Sequence, residues 1–258
     1  MPDLVVCVRC HENPDLVLDT IEAVRSNSDS TGTFVFAAVD GVTSLARALR
    51  KRGVITYCSP NKNGWGVGMF ALLMESLAFA RSKFGPTHFL SIDYDTLFLC
   101  PGVDDYVLSL ITSEKIGLAG PYRASNKNWA TYFYQDREVI QHFLGAIPDT
   151  FIPGEGIHGS FSLLTQAFVS ALESADYFQL PRKDAKFYTR LPDDHLLTLV
   201  ARLLGFDLVK VSRNKVISFC KTTISPIGKE KAGILAFHPV KDDWKGTKAR
   251  RYFRKKRK

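Results

Sequence analysis

Two acidic motifs carry the residue types and spacings best suited to chemistry. The triplet Asp93-Tyr94-Asp95 closes an apolar run from His88 to Ile92. In a strand, the period of two puts both carboxylates on one face, about 6.5–7 Å apart, where a hard divalent cation finds two oxygen ligands. With 18 aspartates in 258 residues such a triplet arises about once by chance, so its place at a strand end is what gives it weight. The plain alternative is a turn before Thr96. The second motif, Pro192-Asp193-Asp194-His195, opens a segment of helical spacing. Acids suit a helix N-terminus through capping and the helix dipole, which accounts for one of the pair. The other is left to accept a proton from an attacking hydroxyl, as a general base must.

The elements around these motifs follow a repeated pattern. Leu4 to Val8 is a short β-branched run, and Pro14 to Val24 carries helical spacing through Leu16, Ile21 and Val24. Phe34 to Val39 predicts a second strand ending at Asp40-Gly41, Leu45 to Arg52 a helix, and Val54 to Cys58 a third strand. Gly64-Trp65-Gly66-Val67-Gly68 opens a helix with Met69, Leu72, Leu73 and Ala80 on one face, and His88 to Ile92 is the fourth strand. Strands alternating with helices predict an α/β fold with a mostly parallel sheet flanked by helices. Ligands of such sheets bind at the carboxyl ends of strands, where Arg9, Asp40, Asn61 to Gly68 and Asp93 to Asp95 fall. The second half is less regular. It offers a strand at Ile116 to Ala119, an aromatic stretch from Trp129 to Tyr134, and a Gly-rich loop from Gly154 to Gly159. Helices follow near Leu164 to Leu172 and from Asp193 to Leu204, the latter stopped by Gly205. No Pro/Ser linker divides the chain, which reads as a single domain.

The formal net charge is +8, yet nine Lys/Arg and no acid lie between Lys245 and Lys258, leaving a net of −1 elsewhere. A block of like charge with only Tyr252 and Phe253 to bury predicts a flexible tail over 245–258. Such a tail solubilises, contacts a polyanion such as DNA, or serves nuclear import. The five cysteines (Cys7, Cys10, Cys58, Cys100, Cys220) are scattered, and no leader-like N-terminus is present. A disulfide scaffold is excluded and a reducing, cytoplasmic compartment expected. Cys7-x-x-Cys10 is no metal pair, because an offset of three on a strand turns the thiols to opposite faces. No apolar run reaches the ~18–20 residues of a bilayer crossing. Gly64-x-Gly66-x-Gly68 lacks the G-x-G-x-x-G spacing of dinucleotide enzymes and no G-x-x-x-x-G-K-[ST] loop occurs, so nicotinamide and P-loop chemistry are not expected.

The order of parts is similar to that of the GT-A glycosyltransferases, most closely the family 2-like group. The pieces are Val5-Val6-Cys7-Val8-Arg9, Val39-Asp40-Gly41, Asn61-Lys62-Asn63-Gly64-Trp65-Gly66, Phe89 to Asp95, and Asp193-Asp194-His195-Leu196-Leu197 through Arg202 to Gly205-Phe206. The resemblance covers about residues 4 to 210. It implies a GT-A type, Rossmann-like domain over 1–244, with a nucleotide-sugar half to about residue 100 and an acceptor half beyond it. It implies a nucleotide-sugar donor, UDP-linked, held by Arg9, Asp40, Asn61, Asn63, Gly64 and Asp93. Asp95, with Asp93 and His238, would ligate Mn²⁺ or Mg²⁺, where the plain alternative for His238 is a loop histidine. Asp194 first and Asp193 second would be the base of an inverting transfer. The pair here is Asp-Asp where Glu-Asp is commoner, and the Gln-x-x-Arg-Trp signature of processive synthases is absent, so single-sugar transfer is expected. With the basic tail, the expected acceptor is a hydroxymethylated DNA base, as for sugar transferases of bacterial viruses. A glycan, a lipid-linked acceptor, or a non-catalytic nucleic-acid-binding role are the alternatives.

Overall fold

In the computed structural model, residues 2–28, 32–64, 66–85, 87–123, 126–179, 191–218, 225–241 and 243–257 are described. Strand β1 (Leu4–Cys10) is buried along its whole length. Leu4, Val6, Val8 and Cys10 pack into one apolar cluster and Val5 and Cys7 into another. A strand apolar on both faces needs helices on both sides, and that is the setting parallel strands require. The thiols of Cys7 and Cys10 lie in opposite clusters, as their spacing predicts, and burial pushes Cys7 up to about 12.

One face is covered by α1 (Pro14–Asn27), which contributes Val17, Ile21 and Val24, and α2 (Thr43–Lys51), which contributes Leu45 and Leu49. The other is covered by α3 (Val67–Phe84) and by α7 (Gln166–Ser174) and α8 (Asp193–Leu203). The remaining strands of the main sheet are β2 (Thr33–Val39), β3 (Thr56–Cys58), β4 (His88–Asp93), β6 (Ile116–Gly120), β9 (Phe161–Leu164) and β10 (Asp207–Lys210). Their order is β10-β6-β9-β4-β1-β2-β3. β9 runs antiparallel to both neighbours, β4 and β6, and the other pairings are parallel.

A second, three-stranded sheet positions the site. It joins β11 (Val216–Ile217), β12 (Ala236–Phe237) and β5 (Leu97–Phe98). β5 starts just after Asp95 and β12 ends just before His238. Their antiparallel register, Phe237 opposite Leu97, carries the histidine to the aspartates. Short α4 (Val103–Ser109), α5 (Lys127–Gln135) and α6 (Arg137–Leu144) and the ribbon β7 (Tyr122–Arg123)–β8 (Gly156–Ile157) complete the fold. The aromatic stretch at Trp129 lies in helix α5, where Phe133 is buried and Tyr134 is exposed.

The C-terminal segment corrects the expected flexible tail. Residues Trp244–Lys256 form helix α9, capped by the Asp243 carboxylate, which accepts from the Gly246 amide at 2.7 Å. Ala249 and Phe253 join the core below it. The charge block folds because counter-ions wait on the body of the protein. Asp19 of α1, 1% exposed, pairs with Arg250, Arg254 and Arg257 at 2.8–3.2 Å. Glu230 pairs with Lys256 at 2.8 Å. Among the described residues, no helix is long and apolar enough to cross a membrane.

Candidate metal centre and active site

Asp93, Asp95 and His238 bring one ligand atom each to within 4.8 Å of the others. His238 Nε2 lies 2.9 Å from Asp95 Oδ1 and 3.6 Å from Asp93 Oδ2. The two aspartates do not meet as neighbours on one strand face. β4 ends at Asp93, and a turn closed by Thr96 N donating to Asp93 O at 3.0 Å swings Asp95 round to it. The turn reading is realised, and the turn brings the two carboxylates and His238 close enough together that they could hold a metal ion. The Val240 amide donates to Asp95 O at 2.7 Å, which ties the strand exit carrying His238 to the turn. Burial raises the Asp95 carboxyl, but the His238 hydrogen bond and charge, with Lys241 and Arg250, outweigh it and hold it below its ordinary range.

Arg9, at the carboxyl end of β1 and in register with Asp93, is 3% exposed. Its Nη2 donates to Asp93 Oδ1 at 2.9 Å and to the Gly159 carbonyl at 2.7 Å, and its Nη1 donates to Asp193 Oδ2 at 2.6 Å. Burial alone would lower Arg9, yet Asp93 and Asp193 more than compensate and keep the guanidinium charged. Its Nη1 and Nη2 serve the protein's own carboxylates and the Gly159 carbonyl and join the end of β4 to the start of α8, while the side chain also lines the cavity described next.

These groups surround a cavity of about 400 Å³ at the carboxyl ends of β1, β2 and β4. Asp40, Asp93, Asp95, Asp193, Arg9 and His238 line it. Asp40 is 3% exposed and accepts from the amides of Asn63 (2.7 Å) and Gly64 (3.0 Å), so its oxygens hold the loop that follows β3. Gly41 makes that approach possible. It sits at φ +68°, and a Cβ there would lie 2.5 Å from the Lys62 amide nitrogen. Asn61, Asn63 and Gly64 form the loop, but none of the three is among the residues lining the cavity.

The acidic pair at the start of α8 divides. Asp193 faces the cavity on Arg9, whereas Asp194 is buried outside it with Oδ1 accepting from the His195 amide at 3.0 Å. Sequence reasoning missed His11, Glu12, Tyr94 and Lys241, all of which line the cavity. The Tyr94 hydroxyl donates to Glu12 Oε1 at 2.6 Å, and the His11 ring packs edge-on to Tyr94. Their signal was position, since each follows or sits between residues already singled out. His158 is a second omission. Its ring centre lies 6.0 Å from that of His238, and its Nδ1 is 2.5 Å from Ser160 Oγ.

Two carboxylates and an imidazole converging on one point fit a divalent cation that accepts oxygen and nitrogen ligands. The neighbouring cation Lys241 suits an anionic ligand beside it. Chemically, the cavity can hold a metal-bound anion, with the Asp193 carboxylate also lining it.

No protein-family profile matches the chain, and no curated protein sequence matches it. Among solved structures, a mannosyltransferase from Pyrobaculum calidifontis, in complex with GDP-Man and Mn²⁺, is similar over 97% of this chain and 61% of its own, at 13% identity and TM-score 0.50. A glycosyltransferase involved in glycosylation of the major capsid of PBCV-1 covers 98% and 100% at 12% identity and TM-score 0.49. Mouse xyloside xylosyltransferase 1 covers 92% and 96% at 11% identity and TM-score 0.47. The fold is that of the GT-A type: a mostly parallel seven-stranded sheet between helical layers, with an acidic strand end at its centre.

Proposed function

We propose that the protein is a divalent-cation-dependent, non-processive glycosyltransferase that moves a sugar from a nucleotide-sugar donor, UDP-linked, to a hydroxyl acceptor. The observation that carries the reading is the Asp93–Asp95–His238 cluster at the carboxyl ends of the sheet, open to a 400 Å³ cavity. The GT-A fold supports it as an analogy only, because one fold hosts many functions.

Bound Mn²⁺ or Mg²⁺ would supply Lewis-acid stabilisation of the diphosphate leaving group. The chain's own residues do the rest. Asp93, Asp95 and His238 hold the cation, Lys241 adds positive charge at the diphosphate, and Asp40 fixes the loop expected near base and ribose. For an inverting transfer Asp193 is the preferred base, because it lines the cavity. Asp194 is the second choice. The base takes the acceptor hydroxyl proton as the oxygen attacks the anomeric carbon and the sugar–diphosphate bond breaks.

The acceptor is a small hydroxyl compound or glycan in preference to a DNA base. The case for DNA was a free basic tail, and Arg250, Arg254, Arg257 and Lys256 are instead engaged with Asp19 and Glu230. The family 2-like subgroup rests on the order of sequence motifs alone. The test is incubation with Mn²⁺ and a panel of UDP- and GDP-sugars, with and without glycan and DNA acceptors, weighing products by mass spectrometry. Donor cleavage that requires Mn²⁺ supports the reading; no cleavage of any donor and no Mn²⁺-dependent nucleotide binding would overturn it.

A further inference from the structure

We propose that Arg250, acting with Thr20, is a positioning residue that sets the spacing of the Asp93–Asp95–His238 cluster from behind. The inference rests on the reading of that cluster as a cation site.

Two chain segments leave the cluster: the turn after β4 that leads into β5, and the stretch following His238. Both are stitched to one buried guanidinium, directly or through Thr20. Arg250 is 4% exposed. Its Nε donates to the Val240 carbonyl at 2.9 Å, two residues after His238, and its Nη2 lies 3.5 Å from the Thr96 carbonyl, one residue after Asp95. Its Nη1 donates to Asp19 Oδ2 at 2.8 Å and to Thr20 Oγ1 at 3.1 Å. Thr20, fully buried, passes the link on, because its hydroxyl proton is shared between the carbonyls of Tyr94 (2.5 Å) and Thr96 (3.1 Å). The carbonyls of Tyr94, Thr96 and Val240 thus converge on one Arg–Thr pair, while Val240 N holds Asp95 O from the other side.

The guanidinium suits this task because its donors form a rigid planar fork. A lysine offers a single ammonium that cannot span the same carbonyls. Residues that orient ligands are commonly worth 10–100-fold in metal affinity, and loosening the backbone on both sides of Asp95 acts on the ligands in the same way. Arg250 does not line the cavity, so apart from its charge, which Arg250→Lys retains, its effect passes through the backbone.

The experiment measures Mn²⁺ affinity of the full chain by electron paramagnetic resonance and calorimetry, at a temperature where circular dichroism shows every variant folded. Arg250→Lys and Thr20→Val are expected to weaken Mn²⁺ binding by about 10-fold or more. Thr20→Ser, which keeps the hydroxyl, should restore it. Arg251→Ala, on the exposed side of the same helix, should match the parent. Thr20→Val carries the test if Arg250→Lys fails to fold. Loss of thermal stability with parental Mn²⁺ affinity in the folded variants would reduce the pair to a structural role and overturn the proposal. A parent that binds no Mn²⁺ would instead overturn the cation site itself.

Discussion

Replacing Arg9 by Met removes the charge that holds two acidic walls of the cavity together. The parent places one guanidinium between Asp93 and Asp193 with three hydrogen bonds of 2.6–2.9 Å. Met fills similar space but leaves Asp193, whose side chain is 12% exposed, and Asp93, 28% exposed, without their shared cation. Deleting one partner of a buried ion pair costs about 3–5 kcal/mol, and the greater exposure of Asp93 puts this case at the lower end. At about 2–4 °C per kcal/mol for a chain of this length, the melting temperature should fall by about 6–12 °C. Arg9→Lys should fall less than Arg9→Met but remain below the parent, since one ammonium cannot reproduce the fork. Adding Asp193→Asn to Arg9→Met removes one stranded charge and should recover at least about 1 kcal/mol, a non-additivity expected of contacting residues. Differential scanning calorimetry of parent, singles and double provides the cycle. An Arg9→Met melt within 2 °C of the parent, or strictly additive losses, would refute the reasoning.

Other outcomes follow from the same contacts. Asp95→Ala should abolish Mn²⁺-dependent UDP binding in calorimetry, with excess Mn²⁺ failing to restore it. Asp193→Asn should lower turnover by about 10²–10⁴, read in a UDP-release assay, whereas Asp194→Asn should keep most of it; the reverse ranking would return the base to Asp194. Burial raises Asp19, but Arg250, Arg257 and Arg254 outweigh it and hold its carboxyl below the ordinary value. Its contribution is therefore complete above the unfolded value of about 4 and lost as pH falls through the lower folded value. Urea midpoints of Asp19→Asn should accordingly trail the parent at pH 7 and draw closer to it as pH falls below the unfolded value of about 4. Truncation after Asp243 strips Asp19 of all three arginines and uncovers the core under Phe253, so the cooperative melt should be lost, together with donor cleavage.

The parallel half was legible because β1 and β2 are apolar on both faces and the helices between them carry a clear period. Asp93 and Asp95 were legible from their place at a strand end. The turn that joins them was less so, since one tripeptide fits a strand or a turn. The fate of Lys245 to Lys258 was hidden for a different reason. Local charge argued for repulsion, and the counter-ion, Asp19, lies on α1 at the far end of the chain, where it reads as an ordinary helix-surface acid. The division between Asp193 and Asp194 was likewise out of reach, because which of two adjacent carboxylates faces the cavity depends on Arg9, a contact across the fold.

The pairing of β5 with β12 has a consequence for biosynthesis. Asp93 and Asp95 leave the ribosome with the first four parallel strands, but His238 follows 143 residues after Asp95. At about 5–20 residues per second, roughly 7–30 s separate them. During that interval the nascent chain can build β1 to β4 and their covering helices while still lacking the third ligand of the cluster. The proposed three-ligand cation site is therefore complete only after β12 has emerged and paired with β5.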